Sequence, residues 1–378
     1  MILGKYRWFS AATAALALGL GAGGCTGGQY SLGIECTTSG TDRELQAAVD
    51  AQPRVSLCPG ATFTLATTLI LRRTGQILET LNRPTQPSEM ATIILGPEFR
   101  STHEFALAAP ISGVQIASVR FDGNRRMLGT IDIFQLLGIG PGKQHQIIGN
   151  VFTDTPGWTH LHVVEPCDGS MIVGNTVETG TQSHEAIGGH NADGLSISCA
   201  HSTIADNVIN DISGAGIVYY GGPGTVIRNN TITAKTTSAS SGINVGDAVT
   251  LDHTGVVITG NNIKSVPPRY FHIGIAAGLR VWPPRGTPPA FFRDIMGVTV
   301  SNNVISGMIR YGLAVDGCLS CLIENNQILD WQPVPVTGTC PPSTQYIANV
   351  SGGRADGNLQ AGYVDANIDD CVGAPLPP

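Results

Sequence analysis

Between Ser112 and Trp331 one short pattern keeps returning: an apolar-alternating run, a small polar turn containing Asn, and a further apolar pair. The copies occupy positions 119–124, 147–152, 172–177, 204–209, 226–232, 257–263, 298–305 and 323–328. Measured at Asn124, Asn150, Asn175, Asn207, Asn230, Asn262, Asn303 and Asn326, the steps are 26, 25, 32, 23, 32, 41 and 23 residues. Short steps clustering near 23, with longer ones reading as insertions, mark a solenoid whose units cannot bury their apolar side alone.

The Val, Ile and Leu residues alternate with a period of two, so each unit supplies short strands whose apolar side chains point into a narrow shaft. The expected fold is all-β: a single-stranded right-handed parallel β-helix. The turn between strands needs a residue that tolerates the left-handed backbone and can hydrogen-bond its own main chain. Asn does both, and Asn at one place in successive coils can stack as an amide ladder. These Asn residues are read as structural rather than as ligands.

Ahead of the repeat, positions 42–50 read as a short helix with Thr41 as its cap. Val55-Ser56-Leu57-Cys58-Pro59-Gly60 and Phe63-Thr64-Leu65 follow. A helix followed by this run resembles the N-terminal cap of pectate-lyase-like proteins, and the repeat resembles that right-handed parallel β-helix superfamily. The expected division is 1–24 signal peptide, 25–60 linker and cap, 61–331 β-helix, and 332–378 a Pro-rich C-terminal cap or tail. The resemblance implies extracellular carbohydrate handling by a lyase, hydrolase or epimerase, and the fold does not choose among them.

Lys5 and Arg7 precede an apolar run over 11–20, and Ala22-Gly23-Gly24-Cys25 follows, the pattern of an export signal. Small residues before a Cys resemble the lipobox of bacterial lipoproteins, although Ala22 stands where Leu is usual. That resemblance implies lipidated Cys25 and anchoring to the bacterial membrane in the cell envelope, at the outer membrane or cell surface. The alternative is an ordinary secretory signal cleaved nearby. Both export the chain to a compartment where the eight remaining Cys can pair. Cys167 and Cys199 each lie eight residues before a repeat Asn, which makes them neighbours on adjacent coils. Cys36 with Cys58 and Cys340 with Cys371 would staple the two ends. Cys318 and Cys321 are either a local bridge or a pair of free thiols.

With a net charge of −7 and no basic run, nucleic acid is not an expected partner, because phosphate binding needs clustered Lys and Arg. Charged residues at 13% beside 48 Gly suit stacked strands and disfavour a helical bundle. A monomer working on a polysaccharide is expected.

A second strand recurs with Gly before an apolar residue, at Gly194-Leu195, Gly216-Ile217, Gly242-Ile243 and Gly312-Leu313, and His160-Leu161-His162-Val163 takes its place one coil earlier. In the coil before Tyr311, either 273–276 or 278–281 fills the position. Side chains between the inward Leu and Ile face outward on one wall. They are His162, Ser196, Asn244 and Arg280, edged by His160, Asp193, Tyr220, Asp247 and Tyr311. The longest insertions, around 184–191, 249–253 and 282–293, fall beside these coils, as the loops of a binding groove do.

His190-Asn191-Ala192-Asp193-Gly194 resembles the Asn-Thr-Asp-Gly motif of polygalacturonases, which implies Asp193 as one of the acids that hydrolyse a glycosidic bond. The sequence departs from that family in having no Asp-Asp pair one coil on and no Gly-His-Gly. Hydrolysis needs two carboxyl groups, about 5–5.5 Å apart for retention or roughly 6.5–9.5 Å for inversion. Glu185, Asp193, Asp247 and Asp252 are the acids available. β-Elimination from a uronate instead needs a cation or acid at the carboxylate and a base for the α-proton. Arg280, His162, His190, His253 and Tyr220 can fill those roles. Asn191, Asn244, Asp247 and Trp282 are assigned to substrate binding, Trp282 by stacking its indole on a sugar ring.

No Ser-His-Asp order or zinc spacing is present, and Gly138-Ile139-Gly140-Pro141-Gly142 lacks the strand–helix context of a dinucleotide site. No metal site and no cofactor are expected; calcium has no acidic cluster to support it. The function expected is an exported protein that cleaves a glycosidic bond in an acidic polysaccharide by β-elimination or hydrolysis. The rival is a non-catalytic surface protein that binds glycan or protein along the same wall.

Overall fold

The computed structural model describes residues 36–100, 105–109, 111–130, 135–180, 191–246, 252–279, 281, 293–334, 343–351 and 354–355. Three parallel sheets run along the stack, and each coil contributes one strand to each. The first has eleven strands, among them Gln146–Ile148, Thr203–Ala205 and Val226–Arg228. The second includes Val151–Thr155, Thr176–Gly180 and Val208–Asn210; the third includes Gln135–Ile139, Thr159–Val163, Asp193–Ser198, Ala215–Gly221, Ala239–Val245 and Phe271–Ala277. Val304–Leu319 belongs to both of these, pairing first with Asn262–Ser265 and then with Phe271–Ala277. This is the all-β parallel β-helix that the repeat predicts.

The shaft is built from rows in register. Ile147, Ile172, Ile204 and Ile227 line the first sheet, Phe121, Phe152, Val177 and Ile209 the second, and Leu161, Leu195, Ile217 and Ile243 the third, all buried in one core. The Phe121 and Phe152 rings stack with centroids 5.1 Å apart. Each such side chain adds about 1.5–3 kcal/mol by leaving water.

The corner between the first and second sheets carries the amide ladder. Asn150, Asn175, Asn207, Asn230, Asn261, Asn303 and Asn326 follow one another, each Nδ2 donating to the Oδ1 of the next at 2.8–3.0 Å. Each Nδ2 also donates to a carbonyl of the preceding coil, as Asn207 does to Ile172 at 3.0 Å, and each Oδ1 takes a second proton from a backbone N–H. The ladder is buried and fully bonded.

Two expected members are not in it. Asn262 is exposed and its neighbour Asn261 takes the rung. Asn124 instead caps a short helix, Arg125–Leu128, and donates to Leu95 O at 2.8 Å. The physical reason is that the turn divides its two tasks between consecutive residues. The left-handed backbone falls on the residue before the rung: Gly149, Gly174, Asp206, Asn229, Gly260, Asn302 and Asn325 all have positive φ. The rung Asn itself supplies only the hydrogen bonds.

A second stack, not foreseen, runs at the third-to-first corner. The N–H of His145 donates to Ser170 Oγ at 3.2 Å, that of Ser170 to Ser202 Oγ at 2.9 Å, and that of Ser202 to Thr225 Oγ1 at 3.0 Å.

At the N-terminal end, helix Asp42–Ala51 presses Leu45 and Val49 into the core, and Gln46 bonds both N–H and C=O of Ile70 at 2.9 Å. Thr41 and Glu44 form its capping box. Coiling starts earlier than 61, since Arg54–Leu57 already pairs with Ile77–Thr80. It also continues past 331: Ser343–Ser351 pairs with Tyr311–Leu319, and Arg354–Ala355 with Leu322 and Ile323. An exposed strand edge offers N–H and C=O groups to any extended segment, without needing the apolar pattern. Cys36–Cys58, Cys167–Cys199 and Cys318–Cys321 are disulfide-bonded. Cys25, Cys340 and Cys371 lie outside the described residues. Among those described, no helix is long and apolar enough to cross a membrane.

Candidate functional site

The third sheet presents the wall. A residue between its Leu and Ile rows forms one outer row: Gly138, His162, Ser196, Val218, Asn244, Ala276 and Ala314 are successive partners. Three positions earlier lies a second row of Gln135, Thr159, Asp193, Ala215, Ser241, Ile273 and Tyr311. Val218, Ile273, Tyr311 and Ala314 on these rows are buried yet stand outside the apolar core cluster.

The Gly that precedes each apolar residue is needed between the rows. A Cβ on Gly216 would lie 2.7 Å from Gly242 O, and one on Gly274 2.3 Å from Gly312 O. His160 holds this position one coil earlier. It is fully buried, its Nδ1 2.9 Å from Asp193 O and its Nε2 against Thr179 O. His160 therefore ties a corner together and does not edge the wall.

His162 is the centre of the site. Its Nδ1–H donates to Gln135 Oε1 at 2.8 Å, which leaves the lone pair on Nε2. The Trp158 ring lies 5.2 Å away and the Tyr220 ring 6.3 Å away, centroid to centroid. Burial pushes His162 down to about 4, so the ring is neutral near pH 7.

Asp193 is half-buried one coil along, where it pairs with Thr159 while His162 pairs with Ser196. Its Oδ1 accepts the N–H of Ala215 at 2.7 Å, and the Ser196 hydroxyl is its second hydrogen-bond neighbour. Ser196 also donates to Thr159 Oγ1 at 3.0 Å. Burial outweighs both bonds and pushes the Asp193 carboxyl up to about 7. One face thus holds a neutral imidazole and, one coil along, a carboxyl that shares its proton near neutral pH.

The other candidates divide. Asn244 lies two coils beyond Ser196 on the His162 row and is buried. Asn191 donates to Ser240 Oγ at 3.1 Å, at the start of the same sheet. His253 sits away from the wall, its ring 5.9 Å from that of the core residue Tyr219. Asp252 holds the Thr254 N–H in an exposed turn. His190, Asp247, Arg280, Trp282 and Glu185 lie outside the described residues.

Gln135 and Trp158 went unnoticed in sequence. The signal for Gln135 was present, because Gln135-Leu136-Leu137-Gly138-Ile139 is the third-sheet strand one coil before His162. Among the described residues no three His, Cys, Asp or Glu side chains converge as a metal-ligand set. An open cleft at Ser112, Lys143 and Asp168 touches none of these residues.

Residues 135–271 match the family model described as the right-handed beta helix region. No curated protein matches the chain. Among solved structures the chain is similar to an exopolygalacturonase from Thermotoga maritima, at 13% identity and a TM-score of 0.52, over 82% of this chain and 85% of that one. It is similar also to an alginate lyase from Paenibacillus sp. str. FPU-7, at 12% identity and a TM-score of 0.50, over 83% of this chain and 98% of that one. At such identities the likeness is one of fold. The coils, the ladder and the matched region together make the chain a right-handed parallel β-helix protein.

Proposed function

We propose that this protein is an exported, polysaccharide-active β-helix protein that cleaves a glycosidic bond in an acidic polysaccharide by β-elimination. The observation that carries the reading is the Gln135–His162 hydrogen bond, which engages Nδ1 of a neutral imidazole and leaves the basic lone pair on Nε2. A uronate carboxylate arriving beside that ring raises its proton affinity, so the base strengthens when substrate is present. His162 takes the proton α to the carboxylate, and the C–O bond at the β carbon breaks as the C=C bond forms. Asp193, in its protonated form, gives its proton to the leaving oxygen. Tyr220 and Asn244 hydrogen-bond the sugar.

Hydrolysis is less well supported. It needs two carboxyl groups flanking one bond. On the described third-sheet strands from Gln135 to Val245, Asp193 is the sole carboxyl. The two solved structures compared above, an exopolygalacturonase and an alginate lyase, are consistent with a polysaccharide substrate.

The test is a panel of polysaccharides read for unsaturated-uronate absorbance and for new reducing ends. Both signals together support elimination. Reducing ends alone would replace it by hydrolysis, and binding without either would favour a non-catalytic glycan-binding protein. Three disulfides suit an oxidising compartment, with Cys25 proposed as the lipid-bearing residue. Cys25→Ser should release the protein from membranes, and unchanged partition would reject the anchor.

A further inference from the structure

Farther along the same wall, on strands Phe271–Ala277 and Val304–Leu319, His272 and Arg310 are neighbours across the ladder. Both are almost wholly buried, His272 at 4% exposure and Arg310 at 6%. The guanidinium lies 5.4 Å from the centroid of the Tyr311 ring, whose centroid is 6.1 Å from that of His272. Arg310 Nε and His272 Nε2 are both buried without a hydrogen-bond partner. Among the described residues no carboxylate lies within ion-pair distance of Arg310. Aromatic faces offset only part of the cost of burying a guanidinium. The Tyr311 side chain also hydrogen-bonds Arg310, but a buried cation with no carboxylate partner among the described residues is strongly unfavourable.

We propose that Arg310 and His272, walled by Tyr311, form a carboxylate-binding subsite that holds a uronate residue of the polysaccharide. The guanidinium offers a planar fork suited to a carboxylate, and His272 Nε2 adds a neutral donor beside it. Burial and the nearby Arg310 charge press His272 down to about 3, so it stays neutral at the site. The subsite belongs to the wall of His162 and Asp193, because Tyr311 lies on the outer row of Asp193, four coils along. At about 4.8 Å per coil that is roughly 19 Å, which places the bound carboxylate on a different sugar of the same polymer. The inference rests on the reading of an acidic polysaccharide, and it assigns Arg310 to selecting charge and positioning the chain, not to bond cleavage.

The experiment measures binding of the full chain to oligomers of galacturonate, mannuronate and glucuronate, each beside its carboxyl-reduced form and a sulfated counterpart. The expected result is that one acid oligomer binds at least tenfold more tightly than its reduced form. Arg310→Gln should abolish that preference while leaving affinity for the reduced form unchanged, and Arg310→Lys should retain part of it. The melting temperature of ligand-free Arg310→Gln should equal or exceed that of the parent, since an unpaired charge is removed; a marked fall would assign Arg310 a structural role and overturn the proposal. It is equally overturned by wild type without acid preference, by an unchanged preference in folded Arg310→Gln, or by stronger Arg310-dependent binding of the sulfated oligomer. Arg310-dependent acid preference without turnover of any polymer would leave this subsite standing and remove the cleavage reading. Turnover of a uronate polymer with KM unaffected by Arg310→Gln would remove the subsite alone.

Discussion

The Nδ1 of His162 lies 2.8 Å from Oε1 of Gln135 on the preceding coil, and that contact decides which nitrogen of the ring can act as a base. Gln135→Leu removes the acceptor and frees the ring to place its proton on either nitrogen. The expected outcome is a fall in kcat of about tenfold or more, while His162→Gln should lose the 10²–10⁴-fold typical of a missing general base. Steady-state rates on the polymer identified by the panel check both. An inactive Gln135→Leu variant whose unfolding curve falls well below that of the wild type would point to misfolding instead.

Asp193→Asn keeps the acceptor for the Ala215 N–H and removes the ionisable group. Activity should drop by about 10²–10⁴-fold. Stability should move the other way. The folded carboxyl holds its proton up to about pH 7, whereas the unfolded one releases it near 4. The wild type therefore carries a cost that grows as pH rises through that interval and stays constant above it. Asn removes this cost, and denaturant unfolding at pH 8 should find the variant more stable by on the order of 1–4 kcal/mol.

Acid should act through buried imidazoles. His145 and His162 are pushed down to about 4 by burial, and His272 to about 3 by burial and Arg310. Unfolded His takes up its proton near 6.5, so the unfolded state binds more protons below that pH. Stability is full above about 6.5 and falls as pH drops towards 4, by up to about 1.4 kcal/mol per unit for each His. Burial lowers His160 as well, so Asp193 opposes this with one group against four. A pH series of unfolding curves checks the net slope, and His145→Leu should flatten part of it.

The ladder gives a paired prediction. Asn207→Ala deletes a buried amide that donates to Asn230 and Ile172 and accepts from Asn175. It leaves several groups unsatisfied and should cost about 2–4 kcal/mol. Asn262→Ala, one residue past a rung and exposed, should change stability by less than about 0.5 kcal/mol. Equal effects at the two positions would contradict the assignment of Asn261 to the rung.

An unreduced digest should yield Cys167 and Cys199 in one linked peptide, as their Cα atoms are 4.4 Å apart on adjacent coils. Replacing both by Ala should lower stability by about 3–4 kcal/mol for a loop of this length.

The fold was legible because the inward rows repeat a period-two pattern at nearly fixed spacing from the Asn. The rung itself was harder to place, since Asn229-Asn230, Asn302-Asn303 and Asn325-Asn326 offer two equivalent residues each. The pairs Gly149-Asn150, Gly174-Asn175 and Asp206-Asn207 hold the answer: the first member varies among residues that accept a left-handed backbone, and the second does not. The His162, Ser196 and Asn244 row was readable from the Gly-apolar repeat. Arg310 was not, because what makes it unusual is burial without a counter-charge, and burial depends on the coils that surround it. The strands past 331 were missed because pairing of an open edge leaves no hydrophobic period to read.

Ladder spacing varies from 23 to 42 residues, yet the corner that holds the Asn rungs keeps one construction throughout. The difference in length falls outside that corner. The molecule thus behaves like a spine with interchangeable ribs: segments can be lengthened, shortened or traded along one side while the hinge side keeps the layers aligned. Change in what the wall recognises can then proceed one layer at a time, without any need to rebuild the stack.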